Sequence, residues 1–128
     1  MSRQREDRLT FYVAQHLPLR LPCDVAWTHF PAGESRPART GAKLNRMGLK
    51  PGWPDFQFVW RGRFHGIELK LPKDHMGGKT YQRPAQKAAQ AEIEAAGGLY
   101  AVCRTFDEVI GTLRGWGLPL RDEFGRAA

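Results

Sequence analysis

The sequence predicts an α/β domain with a central mixed β-sheet flanked by helices. Residues 64–71 and 99–103 have the composition of strands, and residues 84–96 between them have that of a helix. A strand-helix-strand order places its two strands parallel in one sheet. A further pair of apolar runs meets at Arg61 and Gly62, which indicates an antiparallel hairpin. A sheet with both kinds of pairing is mixed, and helices cover its faces.

Length and composition fit one such domain. A chain of 128 residues with 41% apolar residues can bury a sizeable core. The sequence has no internal repeat and no low-complexity segment, so we expect a single domain over residues 1–128. Its core is expected to cover about residues 4–114 and to be followed by a tail, residues 115–128.

The first helix is predicted over residues 4–17. The residues at helical spacing that would form its apolar stripe are Leu9, Val13 and His16. Pro18 and Pro22 are expected to end this helix, because proline lacks the N–H that a helical hydrogen bond requires. The apolar run DVAWTHF, residues 24–30, is then predicted to be a short strand.

A second, shorter helix is predicted within the polar stretch that follows. Pro37 is expected at its first helical position and Gly48 just beyond its end. Basic residues recur on one face of this helix and extend it at either end: Arg36, Arg39, Lys43, Arg46 and Lys50. Such a face is either a solvated surface or one that contacts nucleic-acid phosphates.

The remaining elements follow the hairpin, whose strands are predicted at residues 55–60 and 64–71. Gly97 and Gly98 end the helix that begins at residue 84, and an apolar strand comes next. Thr105 and Glu108 match a capping box that opens a last helix. The buried stripe of this helix is predicted to be Val109, Ile110 and Leu113. The tail from Leu118 onward is expected to be loosely held.

The predicted hairpin brings three charged residues together. If Arg61 and Gly62 form a two-residue turn, Asp55 lies opposite Glu68 on one face, and Lys70 points to the same side. Two facing carboxylates are unfavourable unless one takes a proton or a cation sits between them. A three-residue loop would break this register. The alternative for Glu68 and Lys70 is an exposed ion pair on a solvated sheet face.

Oxygen ligands at this spacing suit a hard cation such as Mg²⁺ or Mn²⁺.

The overall composition points to an anionic partner, because 20 Lys and Arg against 13 Asp and Glu give a formal charge of +7. The two cysteines form no CxxC pair, which excludes a Cys-rich zinc site. The sequence shows no signal-peptide pattern and no membrane-spanning run, so we expect a cytoplasmic protein that does not contact a membrane.

Three motifs carry a resemblance to a known family. The segments GWPDF, IELK and YQRPAQKAAQAEIEAAGGLYAVCRTFDEVIGTL resemble the VRR-NUC domain of the PD-(D/E)xK nuclease superfamily. The similarity runs from the first helix to about Leu113. It implies a restriction-endonuclease-like fold and hydrolysis of DNA phosphodiesters with Mg²⁺ or Mn²⁺.

The resemblance also implies roles for particular residues. Asp55 and Glu68 match the metal-binding acids, and the carbonyl of Leu69 would be a further ligand. Lys70 matches the lysine that serves the attacking water and the transition state, and Gln86 matches the helical glutamine that supports the site.

Two features leave parts of the family pattern open. Glu6 is the candidate for the early acid of the family, although the adjacent Asp7 leaves this choice ambiguous. Either acid could equally be a charge that favours the start of a helix. The family's Pro-Asn-Gly is replaced here by Pro31-Ala32-Gly33, so the role of that loop is open.

The chain resembles the stand-alone members of the family, which often come from phages or prophages. This resemblance implies that the substrate is branched DNA, such as Holliday junctions, and that the protein forms a homodimer. A flap- or end-directed nuclease, or a DNA-binding module without catalysis, is the alternative. The residues expected to contact DNA are Arg36, Arg39, Lys43, Arg46, Lys73, Lys79 and Arg83.

Overall fold

The computed structural model describes residues 2–31, 37–71 and 83–127, with side chains described from Asp7 onward. Its elements in chain order are α1 (Ser2–Arg20), β1 (Ala26–His29), α2 (Ala38–Arg46), β2 (Phe56–Trp60), β3 (Arg63–Leu69), α3 (Pro84–Ala95), β4 (Leu99–Cys103) and α4 (Phe106–Gly115). The described strands form a sheet in the order β1-β2-β3-β4. Its first two pairs are antiparallel and β3 pairs with β4 in parallel, so the predicted mixed sheet is confirmed.

The hairpin has the register that the two-residue turn predicted. Trp60 pairs with Arg63, and the two turn residues both have positive φ, +50° at Arg61 and +74° at Gly62. Positive φ at both central positions defines the turn that matches the natural twist of a hairpin. The guanidinium of Arg61 also lies 4.5 Å from the centre of the Trp60 ring. The turn therefore sets which side chains share a face of β2 and β3.

One face of the sheet packs on α1 and α4, and the other packs on α3. The residues of the first face and of the helices that cover it form the core: Val13, Leu17, Phe56, Phe58, Ile67, Leu69, Cys103, Val109, Ile110 and Leu113. The stripe predicted for α4 is thus buried as expected. On the α3 face, Ile93 lies against Gly98. Because side chains alternate along a strand, Glu68 points to the α3 face, away from the core residues on either side of it.

The first helix is longer than predicted. It continues through Pro18 to Arg20, and the amide of Leu21 donates to the carbonyl of Leu17 at 3.1 Å. The missing proline N–H removes one hydrogen bond from the last turn, whereas burial of Leu17 and Leu21 holds that turn on the core. The predicted stripe was partly wrong, because His16 stacks on the outward-facing Tyr12 ring at 3.9 Å instead of entering the core.

Helix α2 stands apart from the core. Pro37 was predicted to be the first helical residue of α2. It is instead the residue before the first turn (φ −56°, ψ 144°). Gly48 follows the end of the helix with φ +101°, as expected. No residue of α2 is buried. The helix therefore contributes little to the free energy of folding, and its side chains are available to solvent or to a partner.

The C-terminal tail is packed, and the expectation that it is loosely held was wrong. Leu118 and Leu120 are each 2% exposed and belong to the core. Arg121 and Arg20 exchange two hydrogen bonds, from the Arg121 amide to the Arg20 carbonyl at 2.7 Å and from Arg20 Nε to the Arg121 carbonyl at 2.8 Å. The core therefore extends beyond residue 114, to Leu120.

The start of α4 differs from the predicted capping box in one bond. The amide of Glu108 donates to Thr105 Oγ1 at 3.1 Å, as predicted. The Glu108 carboxylate accepts from the amide of Arg104 at 2.8 Å, one residue before the position that a capping box uses.

Within the described ranges, no helix is long and apolar enough to cross a lipid bilayer.

Candidate functional site

Asp55 and Glu68 lie next to each other at the open end of the hairpin. The last ladder pair of β2 and β3 is Phe56 with Ile67, so the next pair outward is Asp55 with Glu68. The Asp55 carboxylate also accepts a hydrogen bond from the amide of Leu69 at 2.8 Å. This bond ties the side chain that precedes β2 to the last residue of β3. The two predicted metal-binding acids therefore share one face of the hairpin.

Gln86 connects Glu68 with Lys70. Its Nε2 donates to Glu68 Oε2 at 2.8 Å, and its Oε1 accepts from Lys70 Nζ at 2.8 Å and from the Arg83 amide at 3.0 Å. Rotating the amide by half a turn would face its NH₂ group towards two donors and its oxygen towards a carboxylate, so the three partners fix its orientation. Gln86 is 7% exposed. The structure thus brings Asp55, Glu68, Lys70 and Gln86 into one cluster.

The glycine of GWPDF allows the loop before Asp55 to approach α3 closely. Gly52 has φ +83°, and a Cβ built on it would lie 2.4 Å from the carbonyl oxygen of Ala85 and 2.7 Å from the amide nitrogen of Gln86. Both observations require glycine at this position. The loop backbone therefore rests directly on the first turn of α3, the turn that carries Gln86.

The proline of GWPDF is matched by a second glycine. Pro54 is buried, and a Cβ on Gly66 would lie 2.4 Å from Pro54 Cγ. The proline ring consequently occupies the space above the β3 backbone that any other residue at position 66 would fill. Proline also fixes φ immediately before Asp55. The motif therefore places Asp55 through packing on both sides of the loop.

The electrostatics of the cluster centre on Glu68. The pKa of Glu68 is raised from 4.5 to about 8, chiefly by burial of its carboxyl group and in second place by the neighbouring charge of Asp55. The charges of Lys70 and Arg83 and a hydrogen bond from the Asp55 amide oppose this shift of the pKa. The cations near Glu68 therefore do not offset the cost of two adjacent carboxylates. A proton or a bound cation would relieve that cost.

The donor set of the cluster fits a hard divalent cation. Among the described residues, no group of three or more His, Cys, Asp and Glu side chains could hold a metal ion. Two carboxylates are present, and the N–H of Leu69 points to Asp55, so its carbonyl points to the same edge of β3. Mg²⁺ binds through one or two carboxylates and keeps several waters. Asp55, Glu68 and the Leu69 carbonyl therefore suit Mg²⁺ or Mn²⁺ better than zinc.

The other predicted site residues are distributed as follows. Arg83 is exposed at the start of α3, and its charge acts on Glu68. The exposed basic residues of α2 are Arg39, Lys43 and Arg46. Lys50, which was expected to extend their face, instead pairs with Glu92 of α3 at 2.5 Å. The residues that lie outside the described ranges are Ala32, Gly33, Arg36, Lys73 and Lys79, and the side chain of Glu6 is likewise not described.

Three contacts at this end of the sheet were not predicted from the sequence. The carbonyl of Asp55 accepts from the Phe30 amide at 2.6 Å and lies 3.0 Å from His29 Nδ1, so β1 holds the backbone of Asp55. The guanidinium of Arg104 donates to the carbonyl of Leu71, just beyond Lys70. The sequence places Arg104 immediately after a strand that was predicted to pair in parallel with β3. Predicting its contact with Leu71 would also have required the register of β3 with β4.

Comparisons with known proteins bear on the fold. A solved structure described as a "VRR_NUC domain protein" superimposes with a TM-score of 0.67 over 88% of this chain and 87% of that chain, at 24% sequence identity. No protein-family model matches the chain, and no curated protein matches it. The predicted restriction-endonuclease-like architecture is confirmed. The chain therefore has the fold of a VRR_NUC domain, and the resemblance carried by GWPDF and IELK is confirmed at the level of the fold.

Proposed function

We propose that the protein is a nuclease that hydrolyses DNA phosphodiesters with Mg²⁺ or Mn²⁺. The observation that carries this proposal is the cluster in which Gln86 joins the buried Glu68 to Lys70, with Asp55 beside Glu68. The fold shared with a VRR_NUC domain protein supports the same reaction class. Two carboxylates that can bind a divalent cation, with an ammonium group beside them, are groups that metal-assisted phosphodiester hydrolysis can use.

Each residue of the cluster has a distinct role in the proposal. Asp55, Glu68 and the Leu69 carbonyl would hold the cation, which, when bound, polarises the phosphodiester and lowers the pKa of a bound water. Lys70 orients the attacking water and stabilises the negative charge that develops on the phosphoryl oxygens. Gln86 is a positioning residue, because its oxygen holds the Lys70 ammonium and its NH₂ group holds one oxygen of Glu68.

Positive charge supports DNA as the substrate. The formal charge is +7, and α2 carries exposed basic residues. No residue of α2 is buried. We propose that Arg39, Lys43 and Arg46 contact phosphates without reading the base sequence, since phosphate contacts carry no sequence information directly. Arg83, at the start of α3, would contact a phosphate nearer to Glu68.

The finer part of the proposal concerns the form of the DNA and the assembly. We propose branched DNA, such as a Holliday junction, as the preferred substrate and a homodimer in the cytoplasm as the active form. This part rests on the resemblance of the sequence to VRR-NUC domains. A flap- or end-directed nuclease is the alternative within the same reaction class. Light scattering that finds only monomer during active cleavage would exclude the dimer.

The test is a cleavage assay with junction, flap and linear duplex DNA in Mg²⁺, Mn²⁺ or EDTA. The wild-type protein is expected to cut with either cation and to bind without cutting in EDTA. Asp55→Asn and Lys70→Ala should abolish cutting while leaving binding largely in place. Asp24→Asn and Arg114→Ala change exposed charges away from the cluster and serve as matched controls.

Three outcomes of this assay are decisive. Preference for the junction over the flap and the linear duplex supports the branched-DNA proposal. Cutting by both Asp55→Asn and Lys70→Ala contradicts the assignment of the site. A wild-type protein that binds DNA but leaves it intact with either cation is a binding module, and the proposed nuclease function is then wrong.

A further inference from the structure

Arg104 lies beside Lys70 at the end of the parallel strand pair. The β3–β4 ladder ends with Leu69 opposite Cys103, and the amide of Lys70 still donates to the Cys103 carbonyl at 2.9 Å. One residue further along both strands, Arg104 comes next to Lys70. Continuing the register one residue beyond the ladder places Arg104 in the row that contains the neighbouring pair Glu68 and Val102.

The guanidinium of Arg104 has unused hydrogen-bonding capacity. It donates through Nη1 to the carbonyl of Leu71, and the side chain is partly buried. Glu108 is close in sequence, but its carboxylate accepts from the backbone amide of Arg104. In the part of the chain that the structure describes, no carboxylate forms an ion pair with this guanidinium. A guanidinium has five N–H donors, which leaves a planar, charged fork.

A neutral donor would satisfy the Leu71 carbonyl equally well. Partial burial of a charge without a counter-ion is unfavourable, so an arginine at this position is better explained by an anionic partner. The planar fork of arginine matches the oxygens of a phosphate group. The adjacent residue on β3 is Lys70, which acts on the scissile phosphate in the proposed reaction.

We propose that Arg104 binds a phosphate of the DNA backbone next to the scissile one. The inference rests on the proposed nuclease function and extends it by naming a second residue that holds the cleaved strand. The bond to Leu71 fixes one edge of the guanidinium, and the other edge faces the phosphate. Arg104 thereby aligns the strand relative to Lys70.

The first experiment measures DNA binding in EDTA over a range of salt concentrations. Arg104→Gln keeps a donor for the Leu71 carbonyl but removes the charge, and Arg104→Lys keeps both. Arg104→Gln is expected to weaken binding about tenfold and to reduce the slope of log affinity against log salt by about one. Arg104→Lys should retain the wild-type slope. The matched control is Arg114→Gln, which removes an exposed charge from the last turn of α4.

The second experiment identifies the phosphate. Each phosphate along the bound DNA is replaced in turn by an uncharged methylphosphonate, and binding is measured for each position. The wild type should lose about tenfold in affinity at one position, and Arg104→Gln should lose nothing further there, because the two changes remove the same contact. If Arg104→Gln does not fold, Arg104→Lys takes its place; its ammonium keeps the charge but not the planar fork, so a smaller loss than in the wild type is expected at that position.

The outcomes separate this inference from the proposed function. Equal losses at every methylphosphonate position in variant and wild type would overturn the phosphate contact. So would an Arg104→Gln slope equal to that of the wild type. Neither measurement requires cleavage, so a protein that never cuts DNA contradicts the nuclease proposal while the binding data still decide the role of Arg104.

Discussion

At the scale of single residues, the site depends on an unusual sharing of hydrogen bonds. The side chain of Gln86 bonds to both Glu68 and Lys70, and its oxygen also accepts from the amide of Arg83, the residue before its own helix. The positions of Asp55, Glu68 and Lys70 followed from the sequence, because a two-residue turn fixes the hairpin register. The contacts of Gln86 and Arg104 did not follow, since they depend on how α3 and β4 dock on β3.

Replacement of Glu68 by glutamine should stabilise the protein at alkaline pH and abolish cleavage. In the native protein the pKa of Glu68 is raised from 4.5 to about 8. Between these two values the unfolded chain releases a proton that the native protein retains, so the free energy of unfolding falls as pH rises. Below 4.5 both states are protonated, and the stability of the native protein is then undiminished by this group.

Urea denaturation in EDTA at several pH values checks this prediction. The wild type should lose stability between about pH 4.5 and about pH 8, whereas Glu68→Gln should be nearly flat over the same window. Mg²⁺ should raise the wild-type midpoint more at pH 8 than at pH 5, because a cation replaces the proton. The same pH slope in both proteins would show that the pKa of Glu68 is not raised.

Loss of the Gln86 bridge should reduce turnover more than substrate binding. Gln86→Leu preserves much of the buried volume but leaves Glu68 without its side-chain donor and Lys70 without this acceptor. We expect a fall in kcat of about tenfold to a thousandfold, by analogy with the loss of other groups that orient a catalytic residue. Gln90→Leu, one turn later on the same helix, is the control. Equal kcat values for the two variants would contradict a positioning role.

At the scale of elements, two glycines with positive φ differ in their surroundings. One is needed only for its backbone conformation, and the other is also closely packed. Gly52 touches the backbone of α3, whereas a Cβ on Gly48 would meet nothing within 4 Å. The sequence predicted that Gly48 follows α2, because glycine is common after a helix. It did not predict the packing of Gly52 on Ala85, which joins residues far apart in the chain.

Gly52→Ala should therefore be far more damaging than Gly48→Ala. Both substitutions place an alanine at positive φ, which costs about 1–2 kcal/mol. Gly52→Ala adds a steric conflict with backbone atoms at 2.4 Å, and we expect a total loss of about 3 kcal/mol in the free energy of unfolding. Thermal and urea denaturation measure the difference. Similar losses for the two variants would mean that α3 shifts away at little cost.

Helix α2 should be dispensable for stability and important for DNA affinity. Because it buries no residue, replacing Arg39, Lys43 and Arg46 together by alanine should leave the melting temperature nearly unchanged. The slope of log affinity against log salt should fall by about three if each residue contacts a phosphate. Arg61→Ala, at the hairpin turn, is the control. An unchanged slope would identify the basic face as merely solvated.

At the scale of the whole molecule, the fold class could be predicted because local signals determine it. A tight turn and a strand-helix-strand order together define the mixed sheet around residues 56–103. The packing of the tail could not be predicted. The segment Leu118-Pro119-Leu120 has no helical or strand periodicity, and its two leucines become core residues through packing with residues distant in the chain, such as Leu17 of α1.

Truncation of Leu118 should destabilise the molecule as strongly as truncation within an element. Leu118→Ala is expected to lower the free energy of unfolding by about 2–5 kcal/mol, the range for buried leucines. Phe124→Ala is the control, because Phe124 lies in the same tail and is 70% exposed. Chemical denaturation of both variants tests the assignment. If Leu118→Ala were as stable as Phe124→Ala, the packing of Leu118 in the core would be contradicted and the tail would be loosely held.

The bridge made by Gln86 has a consequence for protein synthesis. Asp55, Glu68 and Lys70 leave the ribosome before Gln86 does, and α3 packs on the sheet together with β4, which is made later still. A nascent chain therefore carries the acids and the lysine for some time without the residue that aligns them. In the nuclease that we propose, activity would therefore arise only once α3 and β4 have been translated and packed on the sheet.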